Sequence, residues 1–289
     1  MFNARLTDVA REVQSFLNAT IDGLPEGELR EAMRYSVQGG KRLRAFLVME
    51  SARLHNIPES QAIWPAAAIE CLHAYSLVHD DLPCMDDDDL RRGLPTVHKK
   101  WDDATAVLVG DALQSLAFAL VSAPEVSTDP SVRADLALSL AQASGAAGMV
   151  YGQALDIAAE TSEKSLTLPQ ITALQAGKTG ALIRWSACAG ARLAQADTSA
   201  LDRYASDLGL AFQIADDILD VEGDEELAGK RLNKDAEAGK ATFVSLLGLE
   251  EARSRAKSLV ADAEAALAGY GDGAETLKQA ARFVIARRN

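Results

Sequence analysis

Cysteine is scarce in this 289-residue chain. Cys71, Cys84 and Cys188 are odd in number and form no C-x-x-C pair, which excludes a disulfide framework and a cysteine-built zinc site and fits a reducing cytoplasm. His73, His79 and His98 contain no helical i, i+4 pair, so the histidine spacing carries no zinc signature. Positive charge is in deficit: 29 Lys and Arg against 42 Asp and Glu leave a net charge of −13. That balance argues against nucleic acid or an anionic membrane as a partner, while small anionic ligands, which meet local charges, stay admissible. No run of 18 uncharged apolar residues occurs, so stable membrane insertion is not expected. The opening "MFNARLTDVAREVQSFLNAT" lacks an apolar core and reads as an amphipathic helix rather than a secretory signal. Alternating β-branched runs are also missing, so no sheet is expected.

What is abundant is aliphatic. Hydrophobic residues make up 48% of the chain and aromatics only 5%, so the apolar content is mostly Ala, Leu, Val and Ile. Alanine leads the helix propensities, and an all-α fold follows. Apolar residues recur at three- and four-residue spacing over 28–55, 60–81, 103–122, 130–158, 168–194, 199–222 and 241–268. "NIPES", "STDPS" and "TLPQ" place prolines at or near helix starts. The expectation is one domain over 1–289, soluble and cytoplasmic, with roughly ten or more helices. Two charged, glycine-bearing stretches, 86–103 and 222–242, read as functional loops.

The acidic residues are unevenly placed. "DDLPCMDDDD" (80–89) holds six aspartates in ten positions. A like-charged pair at about 5 Å costs about 0.8 kcal/mol in water and about 3 kcal/mol at an effective dielectric near 20. The run also follows an apolar helix, whose C-terminal dipole disfavours anions, so a compensating cation is called for. Mg²⁺ suits a few carboxylates combined with phosphate oxygens and water. The second cluster, "FQIADDILDVEGD", places Asp216, Asp217 and Asp220 on one helical stripe with Gln213. Two such clusters could hold several Mg²⁺ ions and a diphosphate between them. A calcium loop of the D-x-D-x-D-G type is missing.

Basic clusters complement the acidic ones. "GGKRLR" (39–44), "RRG" (91–93) and "GKTG" (177–180) pair glycines with cations, which allows close backbone approach to phosphate oxygens. "GKTG" lacks the P-loop spacing, and it marks a break within its apolar segment.

Together these motifs resemble the trans-isoprenyl diphosphate synthases of the polyprenyl synthetase family, most closely the bacterial farnesyl diphosphate synthases. The resemblance runs almost end to end through "GGKRLR", "ECLHAYSLVHDDLPCMDDDDLRRGLPTVHK", "GDAL", "GQALDI", "KTGALIR" and "FQIADDILDVEGD", in family order. It implies an isoprenoid synthase fold, an all-α helical bundle around a deep central cavity, in a homodimer. The implied activity is Mg²⁺-dependent 1′-4 condensation of isopentenyl diphosphate with an allylic diphosphate. Three Mg²⁺ ions per site are implied, with Mn²⁺ able to substitute. By resemblance, Asp80, Asp81 and Asp86 form the first metal motif and Asp216, Asp217 and Asp220 the second, with Asp80, Asp86 and Asp216 as the leading direct ligands. Lys41, Arg44, His73 and Arg92 correspond to the isopentenyl diphosphate grip, and Arg91, Lys178, Lys230 and Lys240 to the allylic diphosphate. Thr179 and Gln213 correspond to polar groups facing the developing carbocation. Ala45 stands where many relatives carry proline, with only a packing consequence expected.

Tyr75 lies five residues before Asp80, about 7.5 Å along a helix. With Ser76 beside it, the resemblance makes Tyr75 the floor beneath a growing tail. Pro83 and Cys84 should break the helix after Asp81 while still presenting Asp86. The expected product is C15, farnesyl diphosphate, with C20 geranylgeranyl diphosphate as the alternative. A class I terpene cyclase would carry an Asn/Asp, Ser/Thr, Glu pattern in place of "DDILD", and a non-catalytic subunit would lose aspartates or basic residues.

Overall fold

In a computed structural model, residues 2–160, 165–222 and 241–286 are described. Among them are twelve α-helices of eight residues or more, and the all-α expectation holds. The chain forms two compact units: Met1–Ala137 with Ala189–Ala196, and Leu138–Cys188 with Asp197–Asn289.

The first unit opens with α1 (Phe2–Asp22), whose Val9, Val13, Leu17 and Ile21 recur every four residues and form its buried stripe. α2 (Glu28–Ser36) and α3 (Leu43–Leu54) were one periodic segment in sequence. "QGGKR" separates them, because Gly39, Gly40 and Arg42 all hold positive φ angles that a helix cannot contain. α4 (Glu59–Asp80) is apolar on most sides and packs against α3 and against α6 (Asp103–Ser122). α6 is the one described helix long and apolar enough by length and composition to cross a membrane. Its Val109, Gly110, Leu113 and Ala117 are buried, and the helix packs on α4.

Between α4 and α6 lie a two-stranded hairpin, β1 (Leu90–Arg91) with β2 (Leu94–Pro95), and a short helix, α5 (Val97–Lys100). The hairpin corrects the expectation of no sheet. Its cause is local: Arg92 and Gly93 have φ of 53° and 75°, the double left-handed turn that suits a two-residue hairpin. Strands two residues long carry no alternation for sequence periodicity to detect.

The second unit contains α8 (Met149–Glu160), α9 (Leu168–Gln175), a π-helical turn (Ala176–Gly180) and α11 (Ser199–Glu222). It closes with α12 (Phe243–Leu247), α13 (Leu249–Ala266), a 3₁₀ segment (Ala268–Ala274) and α14 (Glu275–Ala286). α7 (Pro130–Ser144) and α10 (Ala181–Leu193) each contribute residues to both units. Prolines sit at helix starts as expected: Pro58 precedes α4, Pro130 begins α7 and Pro169 is second in α9. α11 packs on α13, and Ile171, Ile214, Phe243, Ala252 and Ala256 form a buried cluster. The phenol of buried Tyr204 donates to the Leu277 carbonyl at 2.7 Å.

One buried ion pair organises the start of α3. Arg42 donates to Glu70 Oε2 at 3.0 Å, with both side chains almost wholly enclosed. Glu70 Oε1 accepts the Ala45 N–H at 3.0 Å, which satisfies one of the open donors of the first turn of α3. A proline at 45 has no such proton, so the Ala45 departure carries a hydrogen bond as well as packing. Glu70→Ala leaves Arg42 charged and enclosed, and should lower stability by about 3–5 kcal/mol. Urea unfolding should show the midpoint falling at an unchanged slope.

Candidate active site

α4 ends at Asp80, and Asp81 is its C-cap. The Pro83–Cys84 insert does not carry the chain away, because the Asp86 N–H donates back to the Asp80 carbonyl at 2.8 Å. That bond brings the backbones of the two expected leading ligands of the first motif together. Asp80 is half-buried and Asp86 exposed.

Asp81 behaves differently. It is 3% exposed, and Arg91 Nε donates to its two oxygens at 2.7 and 2.9 Å, with Arg91 Nη2 at 2.5 Å from Oδ1. Burial opposes the Arg91 charge, but the hydrogen bond and field of Asp81 outweigh it and raise the guanidinium pKa. The helix C-terminus therefore already has one compensating cation, supplied by the hairpin. Asp88 lies 3.7 Å from the same arginine, and Lys99 lies 2.9 Å from Asp89. Among the described residues, the one trio of ligand atoms within 4.8 Å of one another is Asp87, Asp89 and His98. Asp80, Asp81 and Asp86 are not pre-assembled as such a shell.

A cavity of about 240 Å³ opens beside these groups. Gly39, Gly40, Asp81, Arg91 and Arg92 line its polar side, and Leu77 and Val78 belong to its apolar wall. Arg92 packs flat over Gly40, where an added Cβ would meet Nη2 at 2.9 Å, and Arg92 Nη1 donates to the Gln38 carbonyl at 2.9 Å. The hairpin is tied to α2 by Tyr35, whose hydroxyl donates to the Pro95 carbonyl at 2.7 Å. His73, on α4, is held well below the usual 6.5, first by burial and then by the fields of Arg44, Arg92, Arg42 and Arg91. It is a neutral imidazole among cations. Lys41 is exposed and Arg44 half-buried at the start of α3.

Tyr75 is 6% exposed, and its phenol hydrogen-bonds the Gln114 side chain from α6. The His79 ring stands edge-on to it at 5.7 Å, and His79 Nε2 lies 3.1 Å from the Val107 carbonyl. The ring is thereby braced from both sides. Half-buried Ser76 donates to the His73 carbonyl at 2.9 Å.

In the second unit, the "GKTG" break is the π turn. It lies between α8 and α11, where Gly152 and Gly209 leave room for it. A Cβ at Gly152 would meet the Lys178 backbone nitrogen at 2.0 Å, and one at Gly209 would meet Gly180 Cα at 3.3 Å. A π turn widens the helix and commonly marks a functional segment. Here it carries Lys178 and Thr179, and Lys178 Nζ lies 2.5 Å from Asp156 Oδ2. On α11, Gln213, Asp216 and Asp220 are half-buried along one stripe. Asp217 points elsewhere: it is 8% exposed and accepts the Phe243 N–H at 2.6 Å, which fixes the start of α12. Lys230 and Lys240 lie outside the described residues.

Three supporting residues were not singled out from sequence. Glu70, Gln114 and Asp156 act as partners of Arg42, Tyr75 and Lys178. Glu70 had a signal, being the lone acid between apolar neighbours in "AAAIECL". Asp156 stands in "GQALDI" without such contrast, and Gln114 had none.

An all-α fold, a carboxylate pair at a broken helix end and a cationic cavity beside it define a diphosphate-handling class of helical protein. The chain belongs to the polyprenyl synthetase family, whose model matches residues 26–270. It is 47% identical to the farnesyl diphosphate synthase of Escherichia coli K12 over 92% of this chain and 91% of the relative. It is 39% identical to geranylgeranyl pyrophosphate synthase 9, chloroplastic, of Arabidopsis thaliana, over 97% of this chain and 80% of the relative. Among solved structures, an FPP/GFPP synthase of Zymomonas mobilis superposes with a TM-score of 0.88 at 49% identity, covering 97% of this chain and 99% of that one.

The depressed pKa of His73 has a thermodynamic consequence. The unfolded chain binds a proton near 6.5 that the folded chain resists, so stability is lost as pH falls through and below that value. His73→Gln should flatten this acid loss, as measured by urea unfolding at neutral and mildly acid pH.

Proposed function

We propose that the chain is a prenyltransferase joining isopentenyl diphosphate to dimethylallyl and geranyl diphosphate, 1′-4, with farnesyl diphosphate (C15) and pyrophosphate as products. The observation that carries this reading is a cavity with a cationic rim, Arg91 and Arg92, and an apolar wall, Leu77 and Val78. Such a lining suits a diphosphate joined to a short hydrocarbon. The relatives named above support the substrate class.

Roles follow from each side chain's setting. Lys41, Arg44 and Arg92 supply charge to isopentenyl diphosphate. Neutral His73 contributes a hydrogen bond rather than a charge. Arg91, held in place by Asp81, serves the allylic diphosphate, so Asp81 is read as a positioning residue rather than a metal ligand. Lys178 is assigned to the allylic diphosphate from the resemblance, with its ammonium stationed by Asp156. Lys230 and Lys240 are kept in that group from the resemblance.

Asp80 and Asp86, and Asp216 and Asp220 on α11, are carboxylate donors suited to a hard dication. These carboxylates would hold Mg²⁺, three ions per site with Mn²⁺ able to substitute, which would supply charge compensation for the departing pyrophosphate. As the allylic C1–O bond breaks, the isopentenyl double bond attacks C1, and the pyrophosphate takes up the proton that is lost. Thr179 and Gln213 present oxygen dipoles to the developing cation. The apolar walls keep water from quenching it. Tyr75, braced by Gln114 and His79, limits the chain to C15, with Ser76 adding little bulk beside it. A C20 product is the alternative, supported by the similarity to the Arabidopsis protein. The reading takes residues 1–289 as one catalytic domain and includes a cytoplasmic homodimer. Exposed Val107 and Leu108 on α6 support a partner-covered face.

Incubation with Mg²⁺, isopentenyl diphosphate and geranyl diphosphate should yield farnesyl diphosphate by chromatography, and no elongated product would overturn the reading. Asp80→Asn or Asp216→Asn should lower kcat about 10²–10³-fold. Tyr75→Ala should move product beyond C15, and an unchanged distribution would remove Tyr75 as the floor.

A further inference from the structure

The loop carrying Arg91 and Arg92 contains a group of side chains that the proposed reaction does not use. Asp87, Asp89 and His98 each bring one ligand atom to within 4.8 Å of the others. The two aspartates are exposed, whereas His98 is 7% exposed. Its two ring nitrogens have different surroundings. Nδ1 lies 3.2 Å from Thr96 Oγ1, and that hydroxyl lies 2.8 Å from the Asp88 carbonyl. A carbonyl only accepts, so the hydroxyl proton goes to Asp88 and the hydroxyl oxygen accepts from Nδ1–H. This network assigns the tautomer and leaves the lone pair on Nε2. Nε2 is buried and has no hydrogen-bond partner. A bare, enclosed acceptor is unfavourable unless something electropositive meets it.

We propose that Asp87, Asp89 and His98 form a site for a borderline divalent cation of the zinc type, separate from the all-carboxylate Mg²⁺ groups. One imidazole nitrogen with two carboxylate oxygens selects such an ion over Mg²⁺, which prefers oxygen alone. The Thr96 hydroxyl fixes the ring from behind, as outer partners of ligating histidines do. Bonds of about 2.0–2.2 Å to one tetrahedral ion place ligand atoms about 3.3–3.6 Å apart. Rotamer shifts of the two exposed aspartates close the remaining gap. Lys99 now supplies the positive charge, 2.9 Å from Asp89 and 4.0 Å from Asp87. Its side chain is 43% exposed and can swing into solvent when a dication arrives. The ligands bracket the hairpin: Asp87 and Asp89 precede β1, and His98 follows β2. A bound ion would clamp both ends of the segment bearing Arg91 and Arg92. The site rests on the geometry of this loop and not on the proposed reaction.

The test is calorimetric titration of Zn²⁺ into the full chain, with Mg²⁺ in excess to occupy the carboxylate-only groups. One Zn²⁺ per chain is expected, bound at least tenfold more weakly in Asp89→Asn and in His98→Gln. Asp89 is exposed, so its variant decides the matter even if His98→Gln fails to fold. Long-range ¹H–¹⁵N correlation of the imidazoles should show Zn²⁺ moving the His98 Nε2 resonance while Nδ1 keeps its proton. Absence of Zn²⁺ uptake, or uptake undiminished in Asp89→Asn, would overturn the proposal.

Discussion

The enclosed carboxylate of Glu70 is the constraint on which the first unit turns. A charge in the middle of an apolar helix is tolerable only if donors surround it. Arg42 and the Ala45 N–H are those donors, and reaching them requires the left-handed backbone at Arg42 that ends "GGKR" and begins α3. Arg42 in turn donates to Gln14 at 2.8 Å and to the Val37 carbonyl, so α1, the end of α2, the start of α3 and α4 share one anchor. Lys41 and Arg44 flank that anchor, and their placement follows from it.

The second theme is the concentration of charge around the end of α4. Six aspartates at a helix C-terminus are destabilising in isolation. The chain answers with cations from the loop that follows: Arg91 on Asp81 and Lys99 on Asp89. Arginine suits Asp81 because its planar fork matches both carboxylate oxygens, whereas Lys99 acts as a mobile point charge at the surface. His73 is kept neutral first by burial and then by the fields of neighbouring arginines, Arg91 among them. Compensation of the acidic run and assembly of the anion-binding rim are thus one arrangement. In the second unit the equivalent device is the π turn, which takes Lys178 out of regular helical register beside Asp156.

Much of this was legible in the residues. Apolar periodicity located the helices, and prolines marked their starts. The uneven placement of charge singled out residues 80–92, 177–180 and 213–220 as the chemical segments. Periodicity failed where a break leaves the buried face in phase. "GGKR" interrupts a segment that reads as continuous, whereas the glycines of "GKTG" did mark the break that the π turn makes. Within the aspartate runs, spacing could not separate roles: Asp81 and Asp217 look like their neighbours, yet one holds Arg91 and the other caps α12.

The sequence by itself determined the all-α class, the helical stripes and the motifs that carry family membership, because these depend on contacts three and four residues apart or on residue identity alone. Only the tertiary structure decided which acids are enclosed, which cations they meet and where Tyr75 and His73 find their partners. Those outcomes depend on groups 10 to 40 positions apart in the chain, such as Asp81 with Arg91, Arg42 with Glu70 and Tyr75 with Gln114. Burial then sets their charge states, because the free energy of a charge depends on its final surroundings rather than on its neighbours in sequence.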